Sequence, residues 1–429
     1  MKCTVMDKTS LTPLTLTCVS ALIAGLIPAT TQGQEHLQTI ERAPENIYEN
    51  ERDATLAKFL EAGPISVRPH LYADTYYDDN LTLSRSHKRE DWVWRIAPGA
   101  LFGIGEFRGD KGNYVSIDYT MRGEIYTKYS DYNALDHYVI MNSGYKLSKL
   151  TLGLSQSYEI DHGKSIEAGA FVEQELFITQ LTSKYEISEK TSVELNGRQS
   201  ISSSVDQVLH GPNQDLASIN EWVVESWGNY KPTEKLITGL GFTAGWRDIR
   251  TFDGNPSPNQ TYEQILGRGG YEVSQKVHVL GSAGIQLSQF QDGDDKTDFI
   301  FSLGVSYHPL ENTFLALEAY RYDIPSIIYS GRNYTLTGGR FSVKQVILEK
   351  YSLSLITGYE YRDYTKVSST TTPNPDRQDN YFWFRPEADY AINERWQIGL
   401  FYQYRTKSSS DDTFDYSNNQ AGLYSNYRF

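Results

Sequence analysis

The chain is nearly devoid of cysteine, and its two cysteines, Cys3 and Cys18, both lie near the N-terminus. They fall in a segment with a short basic start, a mainly apolar stretch over residues 14–28 and small or polar residues up to residue 33. This order is typical of a secretory signal peptide and not of a spanning helix. We therefore predict a cleaved signal peptide over residues 1–33. The exported chain would then have neither disulfides nor thiol chemistry.

The sequence also lacks an apolar run after this leader that is long enough for a helix to cross a bilayer. Loss of the leader removes two Lys and one Asp, which takes the formal net charge from −14 to −15. An acidic chain of this kind argues against nucleic acid as a partner. An exported chain that is polar on average and contains 32 Tyr has one economical membrane fold, a closed barrel of alternating strands.

Catalytic and metal-binding motifs are missing as well. The eight His are scattered, and His70 and His278, which we expect to face inward, have no Ser or acidic partners in a triad pattern. Neither HExxH nor CxxC occurs in the chain. We therefore expect no catalytic residues, no metal site and no cofactor, and we predict that the protein is not an enzyme.

What the sequence does contain is a long period-two pattern, preceded by a distinct N-terminal segment. Residues 34–63 form that segment, and residues 50–62 within it read as a short amphipathic helix that Gly63 and Pro64 end. We expect this segment either to lie in the periplasm or to plug the lower mouth of the barrel. The sequence leaves that choice open.

From residue 64 to residue 429 the pattern predicts an all-β fold, a single transmembrane antiparallel up-and-down β-barrel of about 18 strands. Sixteen strands is the main alternative, and we take the first strand to run over 64–84. Short turns alternate with longer polar connections along this region, as in outer-membrane barrels. An even strand number places both termini on the side of the short turns, which would be the periplasm. None of the longer connections is expected to fold inward as a constricting loop.

The two faces of the predicted strands differ in polarity. In the stretch 351–362, Tyr and Leu side chains share one face, while Ser, Glu and Arg side chains share the other. On these assignments the lumen collects charged residues, and we predict that the following line a pore: Arg68, Arg95, Arg122, Arg198, Arg247, Arg268, Arg340, Arg362, Arg385 and Arg405, with Asp118, Glu159, Glu194, Glu225, Glu272, Glu318, Glu360 and Glu387.

These charges have two interpretations. They could bias the passage of ions or solutes through a water-filled pathway, or they could form an ion-paired network that fills and stiffens the barrel. We favour the pathway because 18 strands enclose more space than side chains alone fill. Since both signs are present, no strong preference for anions or cations follows. Tyr424, Trp383 and Phe401 are also expected to face inward, either as packing residues or as a track for sugar rings.

The last predicted strand ends on an aromatic residue. Leu423, Tyr427 and Phe429 share its outer face, and such an ending resembles the segment by which outer-membrane barrels are recognised for assembly. We predict that these three residues are an assembly signal. The partners implied are outer-membrane lipid and the barrel-assembly machinery.

The start of the barrel carries a family resemblance. Residues 65–72 lead into residues 76–81, which include Tyr-Asp-Asp-Asn, and a Pro-Gly pair follows at 98–99. This arrangement resembles the β-barrel porin type two family of bacterial outer-membrane proteins. The resemblance implies a diffusion channel in the cell outer membrane, and some relatives are associated with exopolysaccharide export.

Three hypotheses for function therefore remain. The leading one is a passive, porin-like channel for small hydrophilic solutes. The second is an outer-membrane component of a surface-polymer export route, with partners in that route, and the third is a closed structural or adhesive barrel. A homo-oligomer is compatible with each of them.

Overall fold

The computed structural model describes residues 60–105, 112–206, 216–250, 259–291, 294–329, 332–366 and 377–428. The predicted signal peptide, most of the segment 34–63 and Phe429 lie outside these ranges. The two helices in the described ranges are single 3-10 turns, Ser130–Tyr132 and Asp412–Phe414. No helix in this part of the chain is long and apolar enough to cross a membrane.

The described residues otherwise form strands joined by turns and loops. The strands are β1 (Leu60–Ala62), β2 (Ile65–Asp78), β3 (Asp91–Gly105), β4 (Tyr114–Tyr126), β5 (Ala134–Lys146), β6 (Leu150–Ser165), β7 (Ala170–Glu186), β8 (Thr191–Asp206), β9 (Ser218–Thr233), β10 (Leu236–Arg250), β11 (Gln260–Ser274), β12 (Val277–Phe290), β13 (Lys296–Leu310), β14 (Thr313–Pro325), β15 (Arg332–Ile347), β16 (Tyr351–Lys366), β17 (Gln378–Ala391), β18 (Trp396–Ser409) and β19 (Tyr416–Arg428).

Strands β2 to β19 close into one barrel. Each pairs antiparallel with the next strand in the sequence, and β19 pairs with β2 over nine residues, from Gln420↔Asp78 to Arg428↔His70. Closure leaves no edge strand exposed in the barrel wall. The predicted up-and-down barrel of 18 strands is thus confirmed, and the alternative of sixteen strands is wrong.

The N-terminal end of the described chain differs from the prediction. Residues 60–62, the end of the predicted helix, form the short strand β1, which pairs with β2 from Leu60↔Val67 to Ala62↔Ile65. Gly63 adopts a φ of 67° in the tight turn between them, a conformation that favours glycine. The predicted helix is therefore wrong for its last three residues, and residues 50–59 lie outside the described ranges.

The first long strand is also shorter than predicted. It ends at Asp78, not at residue 84, and the chain then turns so that Leu81 and Leu83 are buried. The side chain of Asn80 fixes this turn, since its amide donates to the carbonyl oxygens of Ser84 and Ser417. In the sequence, Leu81 and Leu83 continue the period-two pattern, which is why the strand was predicted to run to residue 84. In the structure both residues belong to the loop after β2.

Side chains alternate between an apolar outer face and a polar inner face. On β9, Glu221 and Glu225 point inward and are buried, while Trp222 and Val224 point outward and are exposed. The outer face carries large apolar side chains on every side of the barrel, for example Leu240 at 68% and Ile265 at 61% exposure. This is the reverse of a water-soluble barrel, in which the apolar side chains fill the interior.

The two ends of the barrel differ in their connections. Turns of a few residues join β5 to β6, β7 to β8, and each later odd-numbered strand to the strand that follows it. We call this end the short-turn rim. The opposite end carries the longer connections, and we call it the long-loop mouth. Both the start of β2 and the end of β19 lie at the short-turn rim, as predicted from the even strand number.

Candidate functional site

All eighteen charged residues predicted to line a pore lie on the inward-facing side of their strands. The alternation of burial and the cross-strand pairing place them there, as in the pair Glu318↔Arg340. Trp383, Phe401 and Tyr424 also lie on the inner face. Phe401 packs beneath the guanidinium of Arg385, 4.3 Å from its ring centroid. That these residues line a pore that conducts solutes stays a prediction.

One group of charges runs along the inner wall from β3 to β6. The guanidinium of Arg122 donates to Asp136 at 2.7 Å and to Asp161 at 2.5 Å, and its Nε lies 3.2 Å from Glu124. Arg95 lies 3.8 Å from the same Glu124. These side chains are almost completely buried, so the carboxylates stabilise cations that would otherwise lack water.

A second group is centred on Glu221 of β9. Its carboxylate accepts from Arg198 at 2.6 Å, from Arg247 at 2.7 Å and from the hydroxyl of Tyr262 at 3.1 Å. The ring of Tyr262 also lies 4.4 Å from the guanidinium carbon of Arg247. A cavity of about 70 Å³ adjoins this group. The inner wall at this depth is filled by paired side chains.

The half of the lumen near the short-turn rim is more accessible. Arg268 pairs with Glu194 at 2.7 Å and Arg340 pairs with Glu318 at 2.8 Å, and all four side chains are 19–25% exposed. Ile140, which faces inward opposite Asp118, is 40% exposed. Solvent therefore reaches this half of the interior, and the charged wall there borders water.

At the long-loop mouth, a hairpin crosses the barrel. The ends of β6 and β7 and the turn between them (residues 161–174, the inner hairpin) reach residues 326–329, which follow β14, eight strands away in an 18-strand wall. The carboxylate of Glu167 accepts from Ser326 Oγ at 2.5 Å and from the backbone N–H of Ile327 at 3.3 Å. This contact joins nearly opposite sides of the mouth.

Two buried basic side chains hold the turn of the inner hairpin through its backbone. Arg377 donates to the carbonyl oxygen of Glu167 at 3.0 Å, and Lys407 donates to that of Ile166 at 2.7 Å. Arg377 is 1% exposed; it pairs with Asp379 at 2.5 Å. At the base of the hairpin, Lys164 forms an ion pair with Asp78. The carbonyl oxygens of the turn thus accept hydrogen bonds from buried side chains.

An apolar cluster completes the cover over the mouth. It joins the inner hairpin to the loops before β9 and after β14 and to the 3-10 turn before β19; its buried members are Ala168, Ala170, Val172, Leu216, Ala217, Ile219, Ile249, Ile327, Ile328 and Phe414. The backbone N–H of Ala217 donates to the carbonyl oxygen of Ile327 at 2.7 Å within it. In this conformation the described loops cover the long-loop mouth.

Burial changes the acidity of Glu167, the carboxylate at the turn of the inner hairpin. Glu167 is 4% exposed, and burial raises the pKa of its carboxyl above the ordinary value. The hydrogen bond from Ser326 and the positive charge of Arg377 act in the opposite direction but do not outweigh burial. The closed mouth therefore binds the proton of Glu167 more tightly than water-exposed surroundings would.

The prediction that no connection folds inward was wrong. Strand β6 continues to Ser165, and the turn that follows it is inserted into the mouth. Glu167, Ser326, Arg377 and Lys407 were consequently missed. A signal was present in the sequence: the turn region carries Ile166, Ala168 and Ala170 and is followed by Phe and Val, and exposed loops rarely carry so many apolar residues.

The outer face of β19 is placed as predicted. Leu423 points outward and is 60% exposed, and Tyr427 lies on the same face, opposite Trp396. Phe429 lies outside the described residues, so the assembly signal stays a prediction. Within the described ranges, no group of three or more His, Cys, Asp or Glu side chains is placed to hold a metal ion.

No protein-family model matches the chain, and no curated protein matches it in sequence. Among solved structures, it is similar to OpdQ of Pseudomonas aeruginosa at 10% identity and a TM-score of 0.44, covering 86% of this chain and 99% of that chain. It is also similar to OccK3 (OpdO) of Pseudomonas aeruginosa, at 11% identity and a TM-score of 0.42 over 85% and 95% of the two chains. The FrpB iron transporter of Neisseria meningitidis gives 9% identity and a TM-score of 0.48 over 88% and 83%. Likenesses this weak carry no information about function.

Proposed function

We propose that the protein is a bacterial outer-membrane β-barrel that conducts small hydrophilic solutes, and that the inner hairpin closes its long-loop mouth in the present conformation. The observation that carries the proposal is the inverted polarity of the wall. Large apolar side chains face outward on a closed barrel, and charged side chains face inward. An apolar outer surface requires an apolar surround, and closure satisfies every backbone group without water.

Solvent exposure inside the barrel supports a pathway. Water reaches Arg268, Glu194, Arg340 and Glu318 from the short-turn rim, so a hydrophilic solute entering there meets a charged, hydrated wall. In the proposed orientation the short-turn rim faces the periplasm and the long-loop mouth faces outside. Membrane lipid and the assembly machinery are then the partners, while export of a polymer and oligomerisation stay predictions.

A second function is favoured by a different observation. The mouth is covered by buried ion pairs and an apolar cluster, which would suit a barrel that remains closed and serves as a structural or adhesive protein. The two proposals agree on the fold and differ on whether the inner hairpin leaves the mouth. They therefore predict different currents through the barrel when the hairpin turn is removed.

The experiment is single-channel recording in planar bilayers. The natural protein is compared with a variant in which Gly-Gly replaces residues 166–169, which removes the contacts of Glu167 with Ser326 and Arg377. A matched control replaces Leu348 and Glu349, two residues with positive φ in a turn at the opposite end, with Gly-Gly. A channel predicts brief or rare openings in the natural protein and in the control, and sustained current in the hairpin variant. Silence of all three folded barrels would support the closed structural barrel instead.

A further inference from the structure

The short-turn rim carries a row of residues at and just beyond the ends of the strands. Backbone hydrogen bonds of 2.8–2.9 Å join them across neighbouring strands, from Glu186 to Lys149, Lys231 to Lys190, Glu272 to Lys235, His308 to Lys276, Val346 to Asn312, Ala391 to Lys350 and Arg428 to Arg395. We call these fourteen residues the rim row. The bonds continue the strand pairing by one position, so the alternation of faces continues as well.

The side chains of the rim row point to the inside of the barrel. Lys235 lies opposite Glu272, which shares the inner face of β11 with Arg268. Lys190 directly precedes Thr191, and the even-numbered residues of β8, such as Glu194 and Arg198, face inward. The same alternation holds for the other pairs. The row therefore lines the opening of the lumen from β6 to β19.

The rim row is strongly basic. Eight of its fourteen residues are Lys or Arg and two are Glu, in a chain whose formal net charge is −14. Among the described residues, no ion pair joins Lys190, Lys235, Lys350 or Arg395 to a carboxylate. Lys276 donates instead to the carbonyl oxygen of Pro309 at 2.6 Å. The positive charge of these five side chains thus remains available to a ligand.

Four further acidic residues lie beyond the row. Glu189, Glu234, Glu349 and Glu394 each precede a basic residue of the row and are exposed at the tips of the turns. Deeper in the lumen the charges neutralise one another, as in the pairs of Arg268 with Glu194 and Arg340 with Glu318. The rim row is therefore the level at which positive charge faces the lumen in excess.

The spacing of the row lets its charges act together. Neighbouring strands lie about 4.8 Å apart, so successive hairpins begin roughly 10 Å apart along the rim. The Debye length at physiological ionic strength is about 8 Å. This spacing is slightly longer than the Debye length, so the potentials of adjacent hairpins overlap only in part, and the low-dielectric wall focuses the field at the opening.

We infer that the rim row is an anion-binding ring that selects small multivalent anions, such as carboxylates, phosphates or sulfonates, at the short-turn opening. The inference deepens the proposed function by naming a substrate class, and the selectivity of transport for anions rests on that function. Binding of anions by the rim row does not rest on it, because the row is exposed whether or not the long-loop mouth opens. The sequence-based expectation of no charge preference concerned the lumen wall and did not include the turns.

Binding is measured with a trisulfonated pyrene dye, by fluorescence anisotropy on the folded barrel in a neutral detergent. The rim variant replaces Lys190, Lys235, Lys276 and Lys350 with Gln. A control variant with the same change of charge replaces Arg85, Lys88, Arg89 and Lys128, on loops at the long-loop mouth, with Gln. We expect the rim variant to bind the dye about tenfold more weakly, and the control to stay within about twofold of the natural protein.

Salt gives an independent check, because at about 1 M ionic strength the Debye length falls to about 3 Å and binding should be lost. Equal dye affinity in the natural and rim-variant barrels, or no binding by the natural barrel at low salt, would overturn the inference. In barrels that conduct, the reversal potential under a KCl gradient should indicate anion preference that the rim variant reduces. Dye binding without any current would contradict the proposed function and leave the anion-binding ring supported.

Discussion

At the scale of single residues, the interior is held by carboxylates that each serve several donors. Glu221 receives hydrogen bonds from two guanidinium groups and one phenol. Taking two charges out of water is costly, and the cost is recovered only when geometry and additional hydrogen bonds are good. Such a residue therefore matters more for the stability of the barrel than its single charge suggests.

Replacing Glu221 with Leu should destabilise the barrel strongly. The substitution leaves Arg198 and Arg247 buried without their shared carboxylate, and loss of one partner from a buried pair costs about 3–5 kcal/mol. The free energy of unfolding is measured by denaturant titration in lipid vesicles. Glu394→Gln, at an exposed turn, is the control and should change it by about 0.5 kcal/mol or less. A similar small effect of Glu221→Leu would show that the group on β9 is not structurally important.

The mouth should close at lower pH because of Glu167. Burial raises the pKa of this carboxyl in the closed mouth, whereas an inner hairpin released to solvent would return it to the ordinary value, about 4.3. The closed form thus binds the proton more tightly, so closing is favoured as the pH falls through the raised pKa and opening is favoured above it. Open probability should therefore fall with decreasing pH within that window.

Glu167→Gln tests whether Glu167 causes the pH dependence of closing. The neutral amide mimics the protonated carboxyl, so this variant should stay closed and lose the pH dependence in the same window. The measurement is the open probability of single channels as a function of pH. An unchanged pH profile in the variant would assign the effect to another group.

At the scale of elements, the strands were predictable and the insertion of a hairpin was not. Strand β16 covers residues 351–366 as expected, because alternation of Tyr and Leu with Ser, Glu and Arg defines both its faces and its length. The inner hairpin depends on contacts such as that of Glu167 with Ser326, which are 159 residues apart. A local pattern contains no information about such a partner, although the apolar residues of the turn indicated burial.

The rim row illustrates the same limit of prediction from a local sequence pattern. Each short turn was recognised as a turn, but the inward direction of Lys235 follows from its pairing with Glu272 across strands β10 and β11. Candidate residues within strands could be assigned to the lumen because alternation fixes their face. Residues in turns required the register of the neighbouring strand.

The end of the last strand makes a prediction at this scale. Deleting Phe429, or replacing Leu423 with Asp, should impair assembly into the outer membrane and leave the conductance of the surviving barrels unchanged. The readout is the amount of folded, heat-modifiable barrel in outer-membrane fractions. Ser425→Asp, on the same outer face but outside the predicted signal, separates recognition from a general effect of charge. Normal assembly of both signal variants would remove the assembly-signal interpretation, while the fold would be unaffected.

At the scale of the whole molecule, the polarity of the wall favours transport, whereas the cover over the long-loop mouth argues against it. A wall with exposed Leu240 and Ile265 outside and charged residues inside fits a membrane barrel with a hydrated lumen. The buried contacts at the long-loop mouth cover that lumen on one side. Both observations are consistent with a channel that has a closed state, and the movement of the inner hairpin is then the central claim.

A reversible disulfide across the mouth tests this claim most directly. Glu167→Cys combined with Ser326→Cys replaces two side chains in direct contact, and loss of the predicted leader would leave the exported chain without other cysteines. Current through single barrels is recorded before and after reduction, with Glu167→Cys alone as the control. We predict that the oxidised pair is silent and that reduction produces current equal to that of the control. Equal current in reduced barrels and in oxidised barrels whose disulfide is verified by mass spectrometry would contradict the account, since the inner hairpin would then not close the lumen.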